Sequence, residues 1–394
     1  MLTTLAVENY RSLRRLVLPL RALTVVTGAN GSGKSNLYRA LNTLAAAARE
    51  GAVAAVAREG GLASALWAGP ETTTSATREG RAPAQGTVRK QRVGVRLGFA
   101  GTEFGYAIDL GLPQVDPDTT LFAHDPEIKR EAVWAGPVLR PSALLADRHP
   151  VTARFRDDSG RWAEQVHAVR ATDSILSAFA DPRHTPELLT VRERIRSWRF
   201  YDQFRTDRDA PARAARIGTR TPVLGADGGD LASALRTIQE MGDAAVLDAA
   251  IDRAFPGSSV AVASHAGRFD VRFHQHGLLR PLAAAELSDG TLRYLLLVAA
   301  LLTPRPPELL VLNEPETSLH PELLAPLAEL IGTAAERTQL VVVTHAAPLV
   351  RALDAVAEER GSDTGMVELV KESGATVVEG QGRLDEPSWH WPKR

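Results

Sequence analysis

The sequence contains no cysteine among its 394 residues. This absence excludes disulfide bonds, thiolate zinc sites and cysteine nucleophiles, and it suits a reducing compartment. The sequence also lacks a long apolar run, because the longest, residues 294–303, is about half the length of a membrane span. The first residues lack the charged-then-apolar order of a signal peptide. We therefore expect a cytoplasmic protein without a membrane partner.

Charge of one sign is also missing. The chain has 46 Lys and Arg against 47 Asp and Glu, a formal net charge of −1. The overall charge therefore does not indicate a nucleic-acid partner, and any DNA binding requires a local basic patch. Hydrophobic residues (44%) and charged residues (24%) are present in ordinary globular proportions.

The pattern of apolar residues predicts an α/β fold. In the C-terminal third, predicted strands alternate with predicted helices, which indicates a mostly parallel sheet. Two alternating segments at 92–99 and 104–110 predict an antiparallel β subdomain, and residues 173–200, 231–241 and 244–255 are predicted to be helical. Residues 69–90 are polar and are predicted to form a loop. We predict three regions: an N-terminal lobe at 1–145, a helical insertion at 146–256 and a C-terminal lobe at 257–394.

A glycine-rich loop follows the predicted strand 23–27 and precedes an alanine-rich helix. Its sequence, from Gly28 to Ser35, matches G-x-x-x-x-G-K-S. Such a loop points backbone N–H groups into one concavity, and the helix N-terminus adds partial positive charge. We expect Lys34 to reach the β- and γ-phosphates of ATP and Ser35 to bind Mg²⁺. The predicted nucleotide-binding residues of this phosphate loop are Gly28, Asn30, Gly31, Ser32, Gly33, Lys34, Ser35 and Asn36.

Two buried strands in the C-terminal third end in polar residues. Residues 309–312 lead into Asn313 and Glu314, at the edge where parallel α/β sheets place their sites. Glu314 is placed to polarise an attacking water, and Asn313 to contact the magnesium shell. Residues 340–344 lead into His345, which can donate a hydrogen bond to a γ-phosphate. Taken alone, a strand ending in Asn-Glu or in His is often structural.

The segment 287–291, with the sequence LSDGT, opens an apolar helix. Ser288 and Gly290 are the residues of interest in this signature loop, although Ser, Asp and Gly at this point are also ordinary helix-capping residues. The order and spacing of the four motifs resemble those of ABC-type ATPases, in which LSGGQ stands at this position. The segment 317–321 (TSLHP) resembles the D-loop region of RecF, SMC and OLD-nuclease heads. The opening Asn9-Tyr10-Arg11-Ser12 resembles the N-F-[RK]-S start of that group and adds Arg11 to the nucleotide-binding candidates.

The resemblance is most specific to a family of predicted bacterial RecF-like ATPases that have neither a Toprim domain nor a coiled coil. The segments WRFYDQFRTDRDAPAR, ELSDGTLRYLLLVAALL and LVLNEPETSLHPELL carry it. It implies a site that acts between subunits, in which ATP lies between the phosphate loop of one chain and the signature loop of another. Ser288 and the N–H groups near Gly290 would then bind the γ-phosphate, and the protein would form a homodimer across ATP.

The sequence departs from this ATPase pattern in two places. The strand before Glu314 normally supplies Asp, and here Asn313 brings no negative charge. No convincing Q-loop glutamine is present: Gln85 and Gln91 lie in or beside the polar loop, and the equivalent segment 60–67 has none. We therefore expect slow hydrolysis, with Ser35 and Asn313 as the predicted metal-binding residues.

Nine arginines, from Arg192 to Arg220, are interleaved with four aromatic residues in what we call the Arg-rich stretch. These arginines could neutralise DNA phosphates while the aromatics stack on bases. They could equally pair with nearby carboxylates while the aromatics join the core. The function predicted from the sequence is an ATPase that dimerises on ATP and acts on DNA, in repair or in defence against foreign DNA. The alternative is a nucleotide-sensing switch that hydrolyses little ATP and controls a separate effector protein.

Overall fold

The structure is a computed structural model that describes residues 1–70, 94–114, 120–157, 159–163, 166–382 and 384–393. Its strands are β1 (Leu2–Tyr10), β2 (Leu13–Pro19), β3 (Leu23–Thr27), β4 (Val95–Gly101), β5 (Phe104–Gly111), β6 (Glu127–Ala135), β7 (Leu144–His149), β8 (Thr152–Phe155), β9 (His167–Ala168), β10 (Arg199–Tyr201), β11 (Arg216–Ile217), β12 (Ser259–His265), β13 (Arg268–His274), β14 (Leu282–Ala283), β15 (Leu309–Asn313), β16 (Gln339–Val343), β17 (Thr364–Glu372) and β18 (Ala375–Val378). Its α-helices are α1 (Lys34–Glu50), α2 (Ala52–Arg58), α3 (Leu62–Ala65), α4 (Ile175–Ala178), α5 (Pro186–Ser197), α6 (Leu231–Met241), α7 (Ala244–Ala254), α8 (Asp289–Leu301), α9 (Leu324–Ala335) and α10 (Ala347–Arg360).

The chain divides into two compact units. The first consists of Met1–Arg21, Val26–Trp198 and Gly365–Arg394, and the second of Ala22–Val25 and Arg199–Thr364. These boundaries differ from the three predicted regions, since the terminal hairpin β17–β18 lies almost wholly in the first unit. No helix in the described part of the chain is long and apolar enough to span a membrane.

The first unit is built on an eight-stranded sheet with the strand order β2-β1-β4-β5-β6-β7-β8-β9, and all its neighbouring strands are antiparallel. The predicted hairpin is present as β4 and β5. Strands β6 to β8 were not predicted, because charged residues occupy inward positions that a strand pattern reserves for apolar ones. Glu131 and Arg148 are both fully buried, and Glu131 accepts hydrogen bonds from the Tyr106 hydroxyl (2.6 Å) and the Ile175 N–H (2.9 Å). The predicted loop 69–90 lies almost entirely within 71–93, outside the described residues.

The second unit contains the parallel strands. β10 pairs with β15 and β15 with β16, both in parallel, so that Tyr201 lies opposite Leu312 and Asn313 opposite Val343. All five residues of β15 are buried, as the apolar run at 309–312 predicts for a central strand. Helix α8 packs into the core of this unit, with every residue from 292 to 301 buried. A small antiparallel sheet, β11-β13-β12 with β14 beside β13, completes the unit.

The predicted fold class is confirmed, with one local correction at 173–200. This segment was predicted to be helical throughout, but it contains two helices, α4 and α5, and it ends as strand β10. Pro186 starts the second helix, which suits proline at a first helical position. From Arg199 the chain pairs with β15 instead of continuing as a helix. Pairing with a neighbouring strand is a tertiary effect that local helix propensity does not reveal.

Candidate functional site

The phosphate loop connects β3 to α1, and its glycines are required by its backbone. Gly28 has φ +143° and Gly33 has φ +114°, a region that side-chain-bearing residues rarely adopt. A Cβ at Gly28 would lie 2.3 Å from the Leu369 carbonyl oxygen, and one at Gly33 would lie 2.1 Å from the Thr376 hydroxyl. Helix α1 starts directly after the loop, where the Leu37 N–H donates to the Gly33 carbonyl (3.0 Å). The sequence prediction of a strand, a glycine loop and a helix is therefore confirmed.

The Lys34 side chain folds over this loop. Its Nζ donates to the carbonyl oxygens of Gly28 (2.6 Å) and Ala29 (3.0 Å), and the residue is 6% exposed. Ser35 is exposed at the start of α1, whereas Ser32 is buried and its Oγ has no hydrogen-bond partner among the described residues. The loop thus presents an ammonium, a hydroxyl and a helix N-terminus at one place, which is an arrangement suited to phosphate.

Thr376, on β18, supports the phosphate loop and was not singled out from the sequence. Its Oγ1 donates to the Ser32 carbonyl (2.6 Å) and lies 2.7 Å from Ser12 Oγ. Asn36 donates to the same Ser12 hydroxyl (2.8 Å). This network ties the loop to both ends of the chain. Nothing local in the sequence marks Thr376, because its role depends on where β18 pairs.

The structure places Arg11 beside the loop's support but pairs it with another residue. Its Nη2 lies 2.7 Å from Glu59 Oε2, and its backbone has φ +49°. Its N–H donates to the Ala65 carbonyl (2.7 Å), which joins the predicted Q-loop segment to the opening strands. Arg11 therefore holds the 60–67 segment in place. Gln85 and Gln91 lie outside the described residues.

At the end of β15, Asn313, Glu314 and Glu316 form what we call the acidic edge. Glu314 has φ +47°, a costly conformation for a residue with a side chain, and such strain is common at functional positions. Its N–H donates to the Val343 carbonyl (2.7 Å) and its carbonyl accepts from Arg293 Nη2 (3.1 Å). Backbone contacts on both sides thus fix the direction of the Glu314 side chain.

His345 lies between the two glutamates of the acidic edge. Its Nδ1 is 3.5 Å from Glu314 Oε1 and 3.4 Å from Glu316 Oε1. Glu316 is buried, and its Oε1 accepts from the Thr344 hydroxyl (2.6 Å) and from the His345 N–H (3.1 Å). Sequence reasoning gave Glu316 no role. The structure shows that Glu316 positions the segment that carries His345.

Asp202 and Arg293 lie beside the acidic edge, Asp202 against Asn313 and Arg293 against Glu314. The Asn313 Nδ2 donates to Asp202 Oδ1 (2.8 Å), whereas its Oδ1 is buried without a hydrogen-bond partner in the described part of the chain. The Arg293 guanidinium is 2% exposed, and burial lowers its pKa, while the nearby carboxylates of Glu316, Asp202 and Glu314 act in the opposite direction. The buried Arg293 guanidinium therefore lies close to the carboxylates of the acidic edge.

The signature loop caps helix α8. The Ser288 Oγ accepts from the Thr291 N–H (3.2 Å), as expected of a helix N-cap. A Cβ at Gly290 would approach the Ser318 carbonyl oxygen to 3.0 Å, so the loop lies against the D-loop segment. Ser288, Gly290, Ser318 and His320 line an open groove of about 590 Å³. The exposed Ser288 hydroxyl and the N-terminus of α8 face a space large enough for a ligand group.

Arg213 contacts the backbone that leads into the signature loop. The sequence did not predict this role. The Arg213 Nη1 donates to the carbonyl oxygens of Ala284 (3.2 Å), Ala285 (3.3 Å) and Leu287 (2.7 Å). Its Nη2 donates to the Asp289 carboxylate (2.7 Å), and the Arg213 side chain is only 10% exposed. One guanidinium therefore fixes the backbone that leads into Ser288.

Three of the four aromatics of the Arg-rich stretch belong to the core, whereas Phe200 is half-buried. Trp198 (0% exposed), Tyr201 (2%) and Phe204 (5%) are buried, so they cannot stack on bases as the DNA interpretation required. Several of the arginines pair with carboxylates: Arg192 with Glu193, Arg194 with Glu103, Arg205 with Asp207 and Arg213 with Asp289. The stretch is also divided between the two units. These contacts favour the interpretation in which the arginines pair with carboxylates and the aromatics join the core. Exposed arginines of the stretch could still contact phosphates.

The residues predicted to bind magnesium fit that ion. Among the described residues, no group of three or more His, Cys, Asp or Glu could hold a metal. Mg²⁺ bound to a nucleotide, however, is held by one or two protein oxygens together with phosphates and waters. Ser35 in the first unit has an exposed hydroxyl, and Asn313 in the second unit has an amide oxygen without a hydrogen-bond partner among the described residues; each is an oxygen ligand of the kind that Mg²⁺ takes.

Comparison with known proteins gives both a family and a fold. The family model described as "AAA domain, putative AbiEii toxin, Type IV TA system" matches residues 23–351. Among curated proteins, no sequence matches the chain. A solved structure of an Smc head bound to the C-winged helix domain of ScpA is similar, with a TM-score of 0.50, 14% identity and coverage of 96% of this chain and 97% of that chain. An Smc head domain from Pyrococcus furiosus, with an extended coiled coil and bound to the C-terminal domain of ScpA, has a TM-score of 0.48 and 12% identity, covering 96% of this chain and 95% of that chain. At this level of identity the likeness concerns the fold.

Proposed function

Because the chain belongs to the AAA-domain family whose model matches residues 23–351, we propose that it binds Mg²⁺–ATP, dimerises across it and hydrolyses it slowly. The observation that carries the proposal is the phosphate loop. Its glycines adopt conformations that only glycine tolerates well, and Lys34 lies over its carbonyl oxygens. A loop of this form, followed at once by a helix, is a binding site for phosphate.

In the proposed reaction, the loop N–H groups and Lys34 bind the β- and γ-phosphates. The Lys34 ammonium exchanges its contacts with the Gly28 and Ala29 carbonyls for phosphate oxygens. Ser35 and Asn313 would hold Mg²⁺, which supplies charge neutralisation on the phosphates when bound. Glu314 accepts the proton of the attacking water, and its fixed backbone keeps the carboxylate directed. His345 donates to the γ-phosphate, held in position by Glu316.

The proposed dimer uses the signature loop. Ser288 and the N-terminus of α8 would bind the γ-phosphate held by a second copy, in the groove beside the D-loop segment. An isologous pair would then contain two such sites. Hydrolysis removes the linking phosphate and releases the pair, which makes the dimer a nucleotide-gated switch.

Two biological roles remain as proposals for this switch. In the first, the dimer engages DNA in repair or in defence, through contacts of exposed arginines such as Arg208 and Arg220 with phosphates. In the second, a nucleotide-sensing switch with little hydrolysis controls a separate effector protein in the cytoplasm. Asn313 in place of Asp favours the second role, as does a family description that names a toxin–antitoxin system.

Steady-state phosphate release tests the proposal and separates the two roles. The wild type is measured with Mg²⁺–ATP, with and without linear duplex DNA, beside Lys34→Ala and Glu314→Gln. Glu359→Gln, which changes an exposed glutamate of α10 outside the motifs, is the matched control. We expect a slow rate that both test variants abolish and the control retains. A rise with DNA supports the first role, and no response to DNA supports the second. A rate that survives in Lys34→Ala contradicts the proposed ATPase.

A further inference from the structure

Strand β10 places Asp202 beside Asn313, the amide residue that stands where related ATPases have aspartate. β10 and β15 pair in parallel, with Tyr201 opposite Leu312, so the next residues, Asp202 and Asn313, leave their strands at the same edge. The Asn313 Nδ2 donates to Asp202 Oδ1 at 2.8 Å. Asn313 is 9% exposed, whereas Asp202 is exposed. A carboxylate at the surface is thus bonded to a nearly buried amide.

This hydrogen bond determines which way the amide faces. A carboxylate only accepts, so the NH₂ group of Asn313 must be the part that faces Asp202. The amide oxygen then points elsewhere, and that Oδ1 is buried with no hydrogen-bond partner among the described residues. An unpartnered buried acceptor is costly, and an ion or a water molecule is the kind of partner that can satisfy such a group. The amide oxygen is therefore the atom of Asn313 that could bind a metal ion or its bound water.

The same geometry disfavours an aspartate at 313. A carboxylate there would face the Asp202 carboxylate across 2.8 Å, and two carboxylates that share such a site do not both ionise readily. With Asn313, the pair carries one negative charge, located on Asp202. That charge polarises the amide through its N–H, which strengthens the amide oxygen as an acceptor.

We propose that Asp202 is a positioning residue for the magnesium ligand Asn313. Through the Asn313 amide, Asp202 supplies the negative charge that related ATPases place on the strand before the catalytic glutamate. This proposal rests on the proposed function. Residues that orient a metal ligand from behind change metal affinity by about 10- to 100-fold when they are replaced. The negative charge that Asn313 lacks is then carried by Asp202, the residue that follows β10.

The test is the Mg²⁺ dependence of nucleotide binding by the full chain. A fluorescent ATP analogue is titrated onto the protein in EDTA and then at increasing Mg²⁺. Asp202→Asn removes the charge but keeps an oxygen that can accept from Asn313. In the exchange variant, Asp202→Asn and Asn313→Asp are combined, so that the pair again has one carboxylate, now at position 313. Asp209→Asn, an exposed carboxylate of the same stretch, is the matched control.

For Asp202→Asn we expect binding in EDTA to stay at the wild-type level and half-saturating Mg²⁺ to rise about 10- to 100-fold. We expect half-saturating Mg²⁺ of the exchange variant to return close to the wild-type value. Asp209→Asn should match the wild type both in EDTA and with Mg²⁺. The proposal is overturned if Asp202→Asn needs no more Mg²⁺ than wild type, or if the exchange does not restore it. A wild type that binds no nucleotide would instead overturn the proposed function, so the two failures are distinguishable.

Discussion

Replacing Arg213 by alanine should loosen the signature loop without touching the phosphate loop. The guanidinium donates to three carbonyl oxygens before Ser288, and the side chain is 10% exposed. A hydrogen bond from a charged group contributes about 1.5–3 kcal/mol, but bonds from one group do not add and water replaces some of them. The partner Asp289 is 62% exposed, so its ion pair adds little. We therefore expect a loss of about 3 kcal/mol in the free energy of unfolding.

Thermal unfolding measures this loss. For a unit of about 150–250 residues, 1 kcal/mol corresponds to roughly 2–4 °C, so the melting temperature should fall by roughly 6–12 °C. Arg205→Ala is the matched control, because Arg205 lies in the same stretch, is 59% exposed and pairs with Asp207. Its melting temperature should stay within about 2 °C of wild type. Equal melting temperatures for Arg213→Ala and Arg205→Ala would refute the reasoning.

Three further substitutions probe the site. Gly33→Ala should weaken ATP binding by about 10- to 100-fold because its Cβ would lie 2.1 Å from a hydroxyl oxygen on β18. Gly31→Ala, with no atom within 4 Å of the added Cβ, should weaken ATP binding less in the same assay. A larger loss of affinity for Gly31→Ala than for Gly33→Ala would contradict the loop geometry. Thr344→Val should lower the free energy of unfolding in urea by about 1.5–3 kcal/mol, because the buried Glu316 loses its 2.6 Å donor; a change below about 0.5 kcal/mol would show that this bond is unimportant. Ser288→Ala removes the cap of α8, a loss of about 1 kcal/mol, and should weaken ATP-dependent dimerisation measured by light scattering while the monomer keeps its nucleotide affinity. Unchanged dimerisation would exclude Ser288 from the interface.

The parts of the site that follow a short-range pattern were predictable. The phosphate loop is contiguous, and the constraints on Gly28, Gly33 and Lys34 arise from the loop's own backbone and its direct neighbours. The strands β15 and β16 are also marked by uninterrupted apolar runs, so the positions of Glu314 and His345 at their ends could be inferred.

The remaining parts depend on pairing between distant segments. Thr376 supports the phosphate loop only because β18 lies beside it, and the bond between Asp202 and Asn313 follows from the parallel pairing of β10 with β15. The arginines are a related case, since the sequence shows their density and not their partners. Arg213 resembles its neighbours in sequence, yet its guanidinium contacts the backbone that leads into the signature loop.

The central claim is that ATP joins two copies of this chain, and light scattering of Glu314→Gln tests it most directly. This variant should bind Mg²⁺–ATP without completing hydrolysis, because it lacks the carboxylate that accepts the proton of the attacking water. We predict the mass of a monomer without nucleotide and twice that mass with Mg²⁺–ATP. Adding Lys34→Ala should return the protein to a monomer. A mass that does not change with ATP, in a sample shown to have bound it, would contradict the account.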